Sequence, residues 1–240
     1  MTLKYNRILL KFSGEALMGE GDFGLCSNTL QQVVKQVKDL RDLGVEVGIV
    51  VGGGNIFRGA QIQGSGIART TGDHMGMMAT VINALALRDV IESMGMHARV
   101  LSAMSIEGIA TDGFNANMAK KQLADGEVVI FAAGTGSPFF TTDTAAALRG
   151  VEIEADIVLK ATKVDGIYTA DPMKDPTAER YSALSYDEVI QKNLQVMDMT
   201  AFVLCRDHNM PIRVFDMFKD QAVIRIVKGE DEGTLVSSGE

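Results

Sequence analysis

VVGGGNIFRGA (Val50–Ala60) runs a valine-rich strand straight into three consecutive glycines, then an asparagine and an arginine. A turn alone does not need three glycines. Glycine reaches φ > 0 and lets the backbone approach a ligand closely. Successive free N–H groups form an anion-binding nest, and Arg58 supplies a cation four residues after the last glycine. A tight strand-to-loop turn is the plainer reading of the same letters.

The stretch belongs to an alternating pattern. Arg7–Lys11, Val45–Val51, Ala98–Leu101, Val128–Ala132, Ile157–Lys160 and Ile212–Phe215 read as strands, short apolar runs bounded by turn signals. Between them, Ser27–Leu43 places Leu30, Val33, Val34, Val37, Leu40 and Leu43 on one stripe, which predicts a surface helix with Ser27 as N-cap and Gly44 as its stop. A second helix is predicted over Asp73–Met94, with Met78, Val81, Ile82, Leu85, Ile91 and Met94 on its buried side. Shorter helices are expected over Thr144–Leu148, Tyr186–Lys192 and Thr200–His208. Alternation of this kind predicts an α/β fold, a mostly parallel sheet with helices on both faces. Without a linker, repeat or low-complexity tract, residues 1–240 read as a single domain. Ligands of such sheets bind beyond the carboxyl ends of the strands, where KFSG, GGGN, AGTGSPFFTTD and KATKVDG gather small residues, hydroxyls and cations.

Composition narrows the function classes. The 240 residues are 46% hydrophobic and 22% charged, with a formal net charge of −8. There is no basic block, which argues against nucleic acid as the main partner. Two cysteines, Cys26 and Cys205, lack metal or disulfide-framework spacing and suit a reducing compartment. MTLKYNRILLKFSGEA carries no signal-peptide apolar region, and no uninterrupted apolar run is long enough for a membrane span. The expected setting is soluble and cytoplasmic. Fourteen methionines without a tryptophan read as core composition.

Individual motifs each have a plain and a chemical reading. No lysine is followed by Ser or Thr, so the G-x-x-x-x-G-K-[ST] phosphate loop is missing. Gly19-Glu20-Gly21-Asp22-Phe23-Gly24 matches G-x-G-x-x-G, but Phe12–Met18 separate it from the strand, and its two acids would repel a pyrophosphate. A surface hairpin is the better reading. Lys11 can place its ammonium on a phosphate as a point charge or snorkel from a strand end. Arg58 can fork onto phosphate oxygens or face solvent. Asp73 is either a helix N-cap or a carboxylate that accepts sugar hydroxyls. His74 alone reads as structural, since the three histidines share no metal-ligand spacing. Thr141, Thr142 and Asp143 sit at a helix N-terminus, where unpaired N–H groups suit a phosphate and a Thr or Asp caps equally well. Without a G-x-S-x-G elbow or a Cys/His set, nucleophilic catalysis is not expected.

KFSGEAL, GGGNIFRG, GDHMGM, GTGSPFFTTD, LKATKVDGIYTADP and IRVF occur in this order across nearly the whole chain. Together they resemble the bacterial UMP kinase family of the amino-acid kinase superfamily. The resemblance implies a three-layer α/β/α sandwich, a homohexamer, and phosphoryl transfer from Mg-ATP (Mg2+ entering with the nucleotide) to UMP, with GTP activation and UTP inhibition. It places Lys11, Phe12, Ser13 and Gly14 at the phosphate-transfer region, and with Gly54 and Arg58 among the residues that bind the ATP phosphates. Thr162, Tyr168 and Asp171 match ATP-site positions. Gly53 is similar to the UMP-binding glycine, Asp73 would hold the ribose, and Thr135, Gly136, Ser137, Pro138, Phe139, Phe140, Thr141 and Thr142 the pyrimidine and its phosphate. Gly19–Gly24 (Gly19, Glu20, Gly21, Asp22, Phe23, Gly24) coincides with a region linked to the GTP effector.

The chemistry fits this resemblance. Phosphoryl transfer needs in-line positioning and neutralisation of charge on the moving group. Lys11 and Lys160 are expected to flank that group, with Asp143 orienting the array or Mg2+. Two rivals share the sheet edge: an amino-acid kinase that forms acyl phosphates, and a non-catalytic nucleotide sensor on the same fold.

Overall fold

The computed structural model describes residues 3–58, 64, 66–109, 111–172, 174–192, 194 and 197–239; Gly59 and Ala60 of the opening stretch and Met173 lie outside them. The chain starts with β1 (Arg7–Phe12), a single 3-10 turn (Gly14–Leu17), α1 (Ser27–Asp42), β2 (Glu46–Val51) and α2 (Arg69–Ser93). It continues through β3 (Ala98–Ser102), β4 (Asp112–Gly113), α3 (Ala116–Ala124), β5 (Val128–Ala132), α4 (Thr142–Glu152) and β6 (Ile157–Thr162). The last third holds β7 (Ala183–Ser185), α5 (Tyr186–Gln191), α6 (Met199–Asp207), β8 (Ile212–Asp216), α7 (Ala222–Val227) and β9 (Thr234–Ser237). Among the described residues nine strands form one sheet in the order β4-β3-β5-β2-β1-β6-β8-β9-β7. Every pairing is parallel except β8 with β9. No helix among the described residues is long and apolar enough to cross a membrane.

Strand alternation divides the core into two layers. From β1, Ile8, Leu10 and Phe12 enter the layer that α1, α2 and α7 cover. Leu9 enters the opposite layer, under α3 to α6. Because side chains alternate along a strand, Lys11 shares the Leu9 face, and Lys160 of β6 shares the face of Val158. α1 buries Leu30, Val33, Val34, Val37 and Leu40, each stabilising the fold by roughly 1.5–3 kcal/mol. α4 approaches its face unusually closely: Ala145, Ala146 and Ala147 are buried, and a Cβ on Gly150 would stand 2.7 Å from Val158 Cγ2. Small residues therefore set the distance between this helix and the sheet.

Four expectations need correction. α1 is entered through Cys26, not Ser27, in the N-cap position, without a side-chain capping bond. α2 begins at Arg69 behind Ala68, so Asp73 lies a turn inside the helix and does not cap it. Of the residues assigned to its buried side, Val81 and Ile91 are buried and Leu85 and Met94 pack half-buried against the core, while only Met78 and Ile82, 39% and 48% exposed, face away from it. The helix is apolar around most of its circumference, and its packed side is marked by Ala79, Thr80, Asn83 and Ala84. Finally, Gly19–Gly24 is a run of turns and bends with no strand pairing, not a hairpin of strands. It docks through Gly24, whose N–H donates to Asn55 O at 2.8 Å and whose carbonyl accepts from Asn55 Nδ2 at 2.9 Å.

Candidate active site

The glycine floor works by close approach. Gly52, Gly53 and Gly54 all keep φ outside the left-handed region, so conformational freedom is not their reason. A Cβ on Gly52 would lie 2.9 Å from Gly14 N, and one on Gly53 would lie 2.8 Å from both Ala79 Cβ and Gly76 O. A Cβ on Gly14 would collide with Asn55 Oδ1. The ends of β1 and β2 and the flank of α2 thus meet backbone to backbone. Asn55 and Asn83, both buried, lock that junction: each amide donates to the other at 2.9 and 2.7 Å, and Asn83 Nδ2 also donates to Gly52 O at 2.7 Å. Neither asparagine was flagged by sequence, since the pair is non-local and an amide inside an apolar helix gives no periodic signal.

Beside this floor lies the charged centre. Lys11 and Lys160 are directly opposite in the parallel β1–β6 register. Like charges so placed repel, and Asp143 in the first turn of α4 joins them. Its Oδ1 lies 2.7 Å from Lys11 Nζ and its Oδ2 2.7 Å from Lys160 Nζ. All three side chains are at most 15% exposed. Burial opposes ionisation of Asp143, but the two ammoniums outweigh it and hold the carboxyl below its usual range. Burial, helped by the charge on Lys11, lowers the Lys160 ammonium against the pull of Asp143. The centre carries one net positive charge on rigid elements.

α4 is held in place by Asp198, which sequence reading passed over. Thr141 is the N-cap of α4, accepting from Asp143 N at 3.0 Å and Thr144 N at 3.4 Å. Asp198, itself the N-cap of α6, accepts from Thr141 Oγ1 at 2.5 Å and from Thr144 Oγ1 at 2.9 Å. An acid next to a helix start was visible at Asp198; its partners 54 and 57 residues away were not.

Two clefts open on this edge. The first, of about 350 Å³, is lined among others by Gly53, Gly54, Arg58, Asp73, Thr135 and Thr141. Asp73 accepts from Phe139 N and Arg69 Nε, both at 2.8 Å; burial opposes its charge and these donors prevail, so its carboxyl is lowered. The 133–139 loop is tightly wound: Ala133, Gly134, Gly136 and Phe139 all have positive φ. Ala133, buried and non-glycine, is held there by an N–H bond to Thr80 Oγ1 at 2.8 Å. Thr142 and Phe140 also line the cleft, whereas Gly136, Ser137, Pro138 and Phe139, the last 65% exposed, do not. Thr135 Oγ1 accepts from Ser137 N at 3.2 Å, and the Gly136 Cα lies against Ala103. Pro138 follows in the same turn.

The second cleft, of about 520 Å³, is lined among others by Thr162, Val164, Ile167, Tyr168, Asp171 and Lys192. Tyr168 donates to Asp165 Oδ1 at 2.5 Å, and Thr162 Oγ1 donates to Val164 O at 2.6 Å. Ser13 and Gly14 lie at the end of β1, near the lysines. The Phe12 side chain is fully buried in the α1/α2 layer, so only its backbone is available to a ligand at this edge. Gly19 and Glu20 line a third hollow together with Glu15, Cys26 and Lys163, and neither lines the two clefts. The charged centre adjoins both clefts along the chain, since Asp143 follows Thr142 of the first and Lys160 stands two residues before Thr162 of the second; two buried ammoniums suit a polyanion, and Asp143 has both oxygens within 2.7 Å of a lysine.

Known proteins share this organisation. The model of the amino acid kinase family matches residues 6–216. A uridylate kinase of Hydrogenovibrio crunogenus is 81% identical over 98% of this chain and 100% of its own. That of Stutzerimonas stutzeri is 58% identical over 97% of this chain and 94% of its own. The crystal structure of UMP kinase from Bacillus anthracis covers 98% of this chain and 97% of its own with a TM-score of 0.95 at 37% identity. The chain belongs to the amino acid kinase family and groups within it with the uridylate kinases.

Proposed function

We propose that the protein transfers the γ-phosphoryl group of ATP reversibly to UMP, giving ADP and UDP. The observation that supports this reading is the buried Lys11–Asp143–Lys160 centre, whose residues are chain neighbours of Thr142 in the first cleft and Thr162 in the second. An oxygen of the UMP phosphate attacks the γ-phosphorus, the bond to the β,γ-bridging oxygen breaks, and ADP leaves with that oxygen. The attacking oxygen is already anionic, so no general base is needed. The work is positioning and charge neutralisation, which two lysines on adjacent central strands perform as point charges.

UMP takes the first cleft: Asp73 accepts the ribose hydroxyls, Thr135–Thr142 hold the pyrimidine and phosphate, and Gly53 forms the floor. ATP takes the second, along Thr162, Tyr168 and Asp171, with its phosphates over Lys11, the Phe12 backbone, Ser13, Gly14 and Gly54. Mg2+ enters as part of the Mg-ATP substrate. Asp143, both of whose oxygens engage lysines, serves to orient the array. Coupled ADP release with UMP, CMP, aspartate, a glutamate derivative and carbamate as acceptors tests the assignment; preference for anything but UMP overturns it.

The regulatory and assembly features extend the proposal. GTP activates through the Gly19–Gly24 region, UTP inhibits, and the single 240-residue domain works in the cytoplasm as a homohexamer. The exposed Met75, Met78 and Ile82 on α2 form the ridge on which copies meet, since solvent-facing apolar stripes mark association surfaces. Light scattering after size exclusion that gives a monomer refutes the assembly.

A further inference from the structure

Arg58 is tethered by the chain itself while remaining about half exposed. Its Nε donates to Gly54 O at 3.2 Å, and its Nη2 lies 3.1 Å from Glu15 Oε1. Glu15 belongs to the 3-10 turn that follows β1. Its side chain lies along the glycine floor: a Cβ on Gly54 would be 3.4 Å from Glu15 Cγ and 3.5 Å from Glu15 Oε1. Arg58 and Gly54 both line the first cleft. A carboxylate therefore lies on the floor and pairs with Arg58, the one cation lining that cleft among the described residues, the place and partner a phosphate would take.

We infer that Glu15 is a positioning residue that stands in for the acceptor phosphate when the cleft is empty, parking Arg58 until an incoming phosphate displaces it. The inference rests on reading the first cleft as the monophosphate site. The arrangement keeps a mobile guanidinium pre-oriented over the floor instead of spread among rotamers. It also sets a penalty on binding, because the phosphate must replace one anion and then lie near it. Both side chains are about half exposed, 48% for Arg58 and 45% for Glu15, so the penalty is small, about two- to fivefold in affinity.

The test is calorimetric titration of UMP, with uridine as the phosphate-free control, into the full-length protein and its variants. Glu15→Gln keeps the shape and removes the charge; it tightens UMP about two- to fivefold and leaves uridine unchanged. Arg58→Ala weakens UMP, and in that background Glu15→Gln changes nothing, because its effect passes through Arg58. Glu15→Ala repeats the measurement should the glutamine variant misfold. Unchanged or weaker UMP binding by the Glu15 variants overturns the inference, as does an equal gain in the Arg58→Ala background. A wild-type protein that binds no UMP overturns the acceptor reading itself, whereas normal wild-type binding with an inert Glu15 removes only the stand-in.

Discussion

Asp143→Asn is the most informative single change, because one carboxylate carries two contacts of 2.7 Å to buried ammoniums in direct register. The amide keeps the shape and removes the charge, leaving Lys11 and Lys160 to repel one another. Breaking a buried pair by neutralising one partner costs about 3–5 kcal/mol, and the amide oxygen still accepts from one lysine, so about 3 kcal/mol is expected. At about 2–4 °C per kcal/mol for a domain of this size, Tm falls by roughly 6–12 °C. Turnover falls about 10²–10³-fold, the usual cost of losing one preorganised electrostatic group. The folded Asp143 carboxyl ionises more readily than the unfolded one, whose value is 3.8. Its stabilisation is therefore complete above that pH and lost as pH falls through the lower folded value. The Tm gap between wild type and variant narrows accordingly on acidification below about pH 4. Anionic ligands replace the missing charge, so saturating ATP raises the variant's Tm more than the wild type's. Scanning calorimetry from pH 3 to 8 (roughly spanning the titration) and the coupled ADP assay read all three. Turnover within tenfold of wild type, or a Tm gap indifferent to both pH and ATP, would refute the shared-counterion argument.

Two further predictions test the surroundings. Asp198→Ala removes the acceptor for Thr141, Thr144 and the first turn of α6; about 1–2 kcal/mol of stability is lost, and KM for UMP rises severalfold, while Asp198→Asn recovers most of the stability. Denaturation midpoints and steady-state kinetics separate the two effects. With an aromatic disulfide reagent at pH 8, Cys26, its thiol lowered by the Thr29 hydroxyl, reacts within minutes. Cys205, buried and pushed up to about 12, reacts only as the protein unfolds; two fast thiols in the native protein contradict the packing of α6.

The sheet was legible because its central strands are short apolar runs that end at glycine or hydroxyl clusters, and their edge position made Lys11, Asp143 and Lys160 stand out. The start of α2 was not legible, since Ala68 gives no capping signal and Asp73 offers a false one. On that helix Val81, Leu85, Ile91 and Met94 pack as expected, while Met78 and Ile82 were misplaced because apolar residues run around most of its circumference; Thr80 and Asn83 meet the floor through polar contacts that periodicity does not mark. β7 and β9 are only three and four residues long, below the length at which alternation distinguishes a strand. α3 was within reach: Asn115 caps it with a bond to Met118 N at 3.0 Å and Gly126 stands just beyond its end. Asn55 with Asn83, and Asp198 with Thr141, depend on contacts that only the folded chain creates.

The alanines beneath α4 give the core a kinetic meaning. Ala145, Ala146 and Ala147 act as a shim whose thickness decides how far Asp143 stands from two lysines fixed in the middle of the sheet. A methyl group added there lifts the helix by a fraction of an ångström, and the lift is passed along the helix axis to its first turn. Buried packing tolerates such changes at a cost of about 1–3 kcal/mol, which a chain of this size survives. The reactive charges do not tolerate it, since misplacement of about 1 Å costs two orders of magnitude in rate. Under the proposed mechanism, variation in these apolar positions is therefore expected to change turnover while the protein stays folded, so that helix packing sets the geometry of the charged centre.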